Sequence, residues 1–152
     1  MDKRVAARAA ETFRDMAIQD LKSYTYIWKS LDTLPKKIEL LKEGFGARAV
    51  CYTSPRVQKS ADWDGGVTDK LYDIQLLEKT LEDNRRRGEL IKGALNSLKA
   101  SDRQLLTDFY ITRVHYSTLS QKFNLDRSSI YRKVNTALER YILVYYGVGK
   151  AG

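Results

Sequence analysis

Helical periodicity with almost no proline is the feature that most constrains the fold. Apolar residues recur at every third or fourth position through most of the 152 residues, and proline occurs only at Pro35 and Pro55. This spacing places apolar side chains on one face of an α-helix. We therefore predict an all-α protein. Helices are expected at about 3–31, from residues 32–35 to about 44, and at about 67–98. Residues 32–35 are expected to stop the first helix and start the second, because proline is best tolerated in a first turn.

Residues 44–66 interrupt the periodicity and predict a loop within a helical N-terminal part, residues 1–100. The breakers in this stretch are Gly44, Gly46, Ser54, Pro55, Gly65 and Gly66. Three basic residues, Arg48, Arg56 and Lys59, could contact a phosphate backbone from this loop. A flexible connector is the more common role for such a segment.

The helix predicted at 67–98 carries a long apolar stripe that resembles a coiled-coil seam. Its members are Val67, Leu71, Ile74, Leu77, Leu81, Gly88, Ile91, Leu95 and Leu98. The stripe could pack antiparallel on residues 21–43 as a hairpin arm, or form the seam of a homodimer. The apolar run at 141–146 adds surface that favours self-association, and the sequence leaves both arrangements open.

Charge and rare residues limit the function classes. A formal net charge of +8 and a pI near 9.5 favour a polyanionic partner, most often nucleic acid. Cys51 and His115 are the single cysteine and the single histidine, so an internal disulfide or a zinc site of Cys and His ligands cannot form within one chain. We expect no enzyme, cofactor or metal. Without a long apolar run or a signal core, we expect a cytoplasmic protein that does not enter the membrane.

Residues 101–147 predict a three-helix unit, followed by a short tail at 148–152. Ser101 and Asp102 can cap a first helix, a second helix runs from about 116 to 123, and Asp126 can cap a third. Asn124 lies at the turn, where a residue that tolerates positive φ is needed. This pattern predicts a DNA-binding helix-turn-helix. Its expected core is Leu119, Phe123, Leu125, Ile130 and Val134.

The outer face of the third helix follows from 100° of rotation per residue. With Ile130 as the buried centre, Ser128, Arg132 and Asn135 lie nearly opposite. Such side chains can bond to base edges, and flanking polar or basic residues can hold phosphates. The flanking residues are Arg127, Ser129, Tyr131, Lys133 and Thr136.

Residues 98–141 resemble region four of bacterial sigma factors. The matching segments are Tyr116–Ser120, Phe123–Leu125 and Ala137–Tyr141. Over about residues 36–145 the chain is similar to small phage transcriptional regulators of the ArpU and RinA type, which also carry a patch like Ser54–Ser60. Ser120 and Asn124 depart from the commonest alanine and glycine. The resemblance implies a phage or prophage activator of late genes, acting in the bacterial host cell and able to contact RNA polymerase.

Two further functions compete with a sequence-specific transcription regulator. A small terminase-like component of phage DNA packaging also pairs a helix-turn-helix with a helical oligomerisation arm, and a ring of subunits would favour it. A helical protein-interaction module would bind no DNA. We expect double-stranded DNA to be the main partner.

Overall fold

A computed structural model describes residues 2–52 and 61–148, with side chains described for 2–44 and 68–148. The helices are α1 (Lys3–Tyr52), α2 (Ala61–Asn96), α3 (Ala100–Leu106), α4 (Tyr116–Phe123) and α5 (Arg127–Tyr146). A π-helical segment, Thr107–Ile111, continues α3. The described part of the chain contains no strand, which confirms the all-α prediction.

The predicted break at residues 32–35 is wrong, because α1 runs through Pro35 without interruption. Proline in a helix interior removes one backbone hydrogen bond and costs about 3 kcal/mol. Ile27 and Ile38 are buried on either side of it. Burial of side chains of this size contributes about 1.5–3 kcal/mol each and offsets that cost.

The predicted loop at 44–66 is also wrong over most of its length. Residues 44–52 belong to α1 and residues 61–66 to α2. A glycine inside a helix costs only about 1 kcal/mol, so Gly44 and its neighbours are weaker breakers than the prediction assumed. Arg48 therefore lies in α1, although its side chain is outside the described residues. Arg56 and Lys59 also lie outside the described residues.

The chain divides into two compact units. Unit 2, Ile27–Arg87, contains the second half of α1 and most of α2. Within it, Asn84 of α2 donates to the Ser30 hydroxyl at 2.9 Å, and Lys42 pairs with Glu78 at 2.8 Å. The partner of the later α1 residue comes earlier on α2, so the two helices run antiparallel, as the hairpin interpretation expects. The homodimer remains a prediction.

Unit 1 comprises Met1–Tyr26 and Gly88–Gly152, so it draws on both ends of the chain. The spacing of Val5, Ala9, Phe13 and Met16 predicts a common apolar face at the start of α1, and that prediction is wrong because Val5 is 56% exposed and Met16 is 47% exposed. Ala17 and Leu21 of α1 are buried instead. The largest fully buried side chains of unit 1 are Leu21, Ile91, Leu106, Leu119, Ile130, Val134, Leu138 and Tyr141.

Candidate nucleic-acid interface

The candidate site is built around the turn between α4 and α5. Asn124 follows α4 with φ 55° and ψ 46°, which is the left-handed conformation. The next residue, Leu125, donates its backbone N–H to the Ser120 carbonyl at 3.1 Å. Asn and Asp adopt this conformation more readily than other residues that carry a Cβ. The expected positive φ at Asn124 is confirmed, and the turn leads directly into Asp126 at the N-cap position of α5.

One face of α5 is buried in unit 1. Ile130, Val134, Ala137, Leu138 and Tyr141 are buried at three- and four-residue spacing, as an amphipathic helix requires. Leu119 of α4 is also fully buried, whereas Phe123 and Leu125 are half-buried.

The opposite side of α5 is open near its N-terminus. Of the predicted DNA-contacting residues, Arg127, Ser128, Arg132, Lys133 and Thr136 are exposed, and Ser129, Tyr131 and Asn135 are half-buried. Among the described residues, no ion pair joins Arg127, Arg132 or Lys133 to an acidic side chain. These cations therefore form a basic face at the start of α5.

Tyr131 has a packing role that the helical angles did not indicate. Its ring meets Phe109 of the π-helical segment edge-on, with centroids 5.6 Å apart. The Arg127 guanidinium lies 4.5 Å from the Tyr116 ring centroid and 5.5 Å from that of Tyr131. A guanidinium this close to aromatic faces is attracted by the ring quadrupoles. The two rings therefore hold Arg127 between α4 and α5.

The same flank of α5, one turn further along, contacts α1. Arg14 donates from Nη2 to Oδ1 of Asn135 at 2.8 Å. Beyond this contact a groove of about 970 Å³ separates the start of α1 from the second half of α5. Its apolar lining includes Ala6, Ala9, Ala10, Leu138, Ile142 and Leu143. No local sequence pattern indicated the Arg14 contact, because the two partners lie 121 positions apart.

Two nearly buried carboxylates connect α3 and the π-helical segment to the following helices. Arg140 of α5 donates to Asp102 at 2.7 Å, and Lys122 of α4 donates to Asp108 at 2.8 Å. Gln104 also donates to Asp108, at 2.9 Å. Buried carboxylates require partners of this kind, because an unpaired buried charge is costly.

The expected capping of the first C-terminal helix by Ser101 or Asp102 is wrong. The N-cap residue of α3 is Lys99, and both predicted caps lie within the first helical turn. The Asp102 carboxylate is directed to Arg140 instead. An interhelical ion pair has therefore taken the place of a local cap.

His115 caps α4. Its Nδ1 accepts the backbone N–H of Ser117 at 3.3 Å and lies 2.8 Å from the Ser117 hydroxyl. This satisfies one of the N–H groups that a helix start leaves without an intrahelical partner. The only histidine of the chain thus has a structural role beside the candidate site.

Two titratable groups in this region have shifted pKa values. Interaction with the Ser129 side chain lowers the pKa of the Asp126 carboxyl below its ordinary value of 3.8. Burial raises the pKa of Tyr110 above its ordinary value, and the nearby charge of Arg14 opposes that rise.

The described part of the chain contains no group of three or more His, Cys, Asp or Glu that could hold a metal ion. None of its helices combines the length and the apolar character needed to cross a membrane. No family model, no curated protein and no solved structure matches this chain.

Proposed function

We propose that this protein binds double-stranded DNA in a sequence-specific manner, with α4, the Asn124 turn and α5 acting as a helix-turn-helix. The observation that carries the proposal is the division of α5 into two faces. Ile130 and Val134 are buried, while Arg132 and Lys133 are exposed in the same two turns. A helix anchored by one face and basic on the other is suited to the major groove.

The proposal assigns different roles to two exposed basic residues of α5. Arg132 lies opposite the buried face and reads a base edge, because a guanidinium can bond to O6 and N7 of guanine together. Lys133 lies to the side of Arg132 and contacts a phosphate. Phosphate contacts supply affinity and salt dependence without sequence preference, so the two residues should be separable by experiment.

The biological role proposed is that of a phage or prophage transcription regulator, an activator of late genes. It rests on the resemblance of residues 98–141 to sigma region four and on the net charge of +8. A regulator of this type would bind promoter DNA through α5 and could contact RNA polymerase through the neighbouring surface.

Gel-shift and footprinting measurements over a range of salt concentrations test the proposal. The DNA should include a random-sequence duplex and sites enriched from a randomised pool. Arg132→Ala should lose about 1–3 kcal/mol of binding free energy at the enriched site and much less on random DNA. Lys133→Ala should weaken both equally and reduce the salt slope by about one.

Arg86→Ala is the matched control, because Arg86 is an exposed arginine of α2 that lies in unit 2. It should change neither specificity nor the affinity for the enriched site. Absence of salt-dependent DNA binding by the wild-type chain would refute the proposal. So would equal losses for the Arg86 and Arg132 variants.

A further inference from the structure

A residue from the first helix reaches the predicted reading face of α5. Arg14 is exposed on α1 and bonds to the half-buried amide of Asn135 at 2.8 Å. Asn135 is one of the residues expected opposite the buried centre of α5. Arg14 lies outside the segment that resembles the phage regulators, so that resemblance assigns it no role.

The contact fixes which end of the Asn135 amide faces outward. Because the guanidinium is always charged, its hydrogen bond to Oδ1 is charge-assisted and about twice as strong as a neutral one. Oδ1 must therefore point toward Arg14, and the Nδ2 group, with its two donors, is left for another partner.

This orientation has a consequence for base recognition. An asparagine that recognises adenine uses both ends of its amide, because Oδ1 accepts from N6 while Nδ2 donates to N7. At Asn135 a cation already lies beside Oδ1, and an adenine amino group would place another donor there. Guanine presents only acceptors, N7 and O6, on its major-groove edge. The Arg14 cation occupies one of the two lone pairs of Oδ1, so the pair Arg14 and Asn135 presents mainly donors outward and therefore matches guanine.

We propose that Arg14 is a specificity-determining residue, which orients the Asn135 amide so that α5 selects guanine over adenine at one position of its DNA site. The inference rests on the proposed function. It adds the start of α1 to the DNA-reading surface and names the base that this part of the surface recognises.

Enrichment of binding sites from a randomised duplex pool tests the inference. Wild type, Arg14→Met and Asn135→Ala are compared, with Arg8→Met as the matched control because Arg8 is exposed on the same helix. Affinities are then measured for the enriched duplex and for duplexes with single guanine-to-adenine changes. Thermal unfolding of each variant verifies that it is folded at the assay temperature.

For wild type, one guanine-to-adenine change should weaken binding about 5- to 150-fold through the Arg14 and Asn135 pair, the range expected for a good base contact. Arg14→Met should lose this preference or shift it to adenine, because Oδ1 is then free to accept from N6. Asn135→Ala should lose the preference at the same position and at no other. Arg8→Met should keep the wild-type site.

The inference is overturned if Arg14→Met binds DNA and enriches the wild-type site unchanged. It is also overturned if the Arg14 and Asn135 variants alter different positions. If Arg14→Met proves unfolded, Asn135→Ala decides, since an unchanged preference at every guanine then overturns the inference. If the wild-type protein enriches no sequence, the proposed function itself is refuted. If it enriches a site that Arg14→Met leaves unchanged, only the inference about Arg14 is refuted.

Discussion

Truncation of Ile130 gives the most direct test of how α5 is anchored. Its side chain is 0% exposed and lies on the buried face of the helix. Ile130→Ala removes three carbon atoms, and at about 0.8 kcal/mol for each buried CH₂ group the transfer free energy alone is about 2.4 kcal/mol. The cavity left behind adds to this, so we expect a loss of about 2–4 kcal/mol in the free energy of unfolding.

A graded series on the same helix makes the measurement specific. Ile130→Val removes one carbon and should cost about 0.5–1.5 kcal/mol. Val144→Ala is the control, because Val144 is 47% exposed on α5 and its truncation should change stability by less than about 0.5 kcal/mol. Urea unfolding followed by circular dichroism gives all three values, and the slope with denaturant shows whether the unfolding transition keeps its cooperativity.

The order of the three losses in unfolding free energy decides whether the buried face of α5 is correctly assigned. If Ile130→Ala cost no more than Val144→Ala, Ile130 would be solvent-exposed and the assignment of the buried face would be refuted. The outer face, which is defined by its opposition to Ile130, would then be wrong as well. If Ile130→Val alone cost as much as Ile130→Ala, a change in packing shape rather than a cavity would be responsible.

Substitutions at three other positions test the turn, the cap and the shifted carboxyl. Asn124→Gly should be tolerated, because glycine adopts positive φ freely, whereas Asn124→Val should lose about 1–2 kcal/mol in urea unfolding. His115→Ala should cost about 0.5–2 kcal/mol, and His115→Asp should retain most of the stability because aspartate also accepts from a helix start. Because the pKa of Asp126 is lowered in the folded state, its ionised carboxylate stabilises the fold at pH values above 3.8, the ordinary pKa. This contribution is lost as the pH falls through the folded-state pKa. Ser129→Ala should raise the Asp126 pKa in an NMR titration; an unchanged value would show that the Ser129 hydroxyl is not the cause.

Local signals predicted the region around α4 well. The expected second helix at about 116–123 coincides with α4, and Asn124 has the expected positive φ. A short helix and its turn depend on neighbours within a few residues, so a sequence pattern contains most of the relevant information. The burial of Leu119 and Ile130 follows from the same periodicity.

The long helices were predicted less well, because Gly and Pro act there as moderate penalties rather than absolute stops. Pro35 removes a hydrogen bond, yet α1 continues through it because residues on both sides are buried. Asp102 shows that local residue preferences are also an incomplete guide at the start of a short helix. Its residue type and position favour a cap, but Arg140 offers it a partner 38 residues away. Packing decides such cases, and it cannot be obtained from propensity alone.

One flank of α5 shows why helical angles alone overestimate the reading face. Tyr131 packs against Phe109, and Asn135, one turn further along the same side, accepts from Arg14. Both partners come from other elements, so no pattern within α5 could reveal them. A helix held on this flank as well as by its buried face loses little freedom when it binds, and ordered side chains lower the entropic cost of association. On the proposed function, base selection then depends on a narrow exposed strip that contains Arg132 and the outward end of the Asn135 amide, while the Tyr131 contact keeps that strip aligned with the groove.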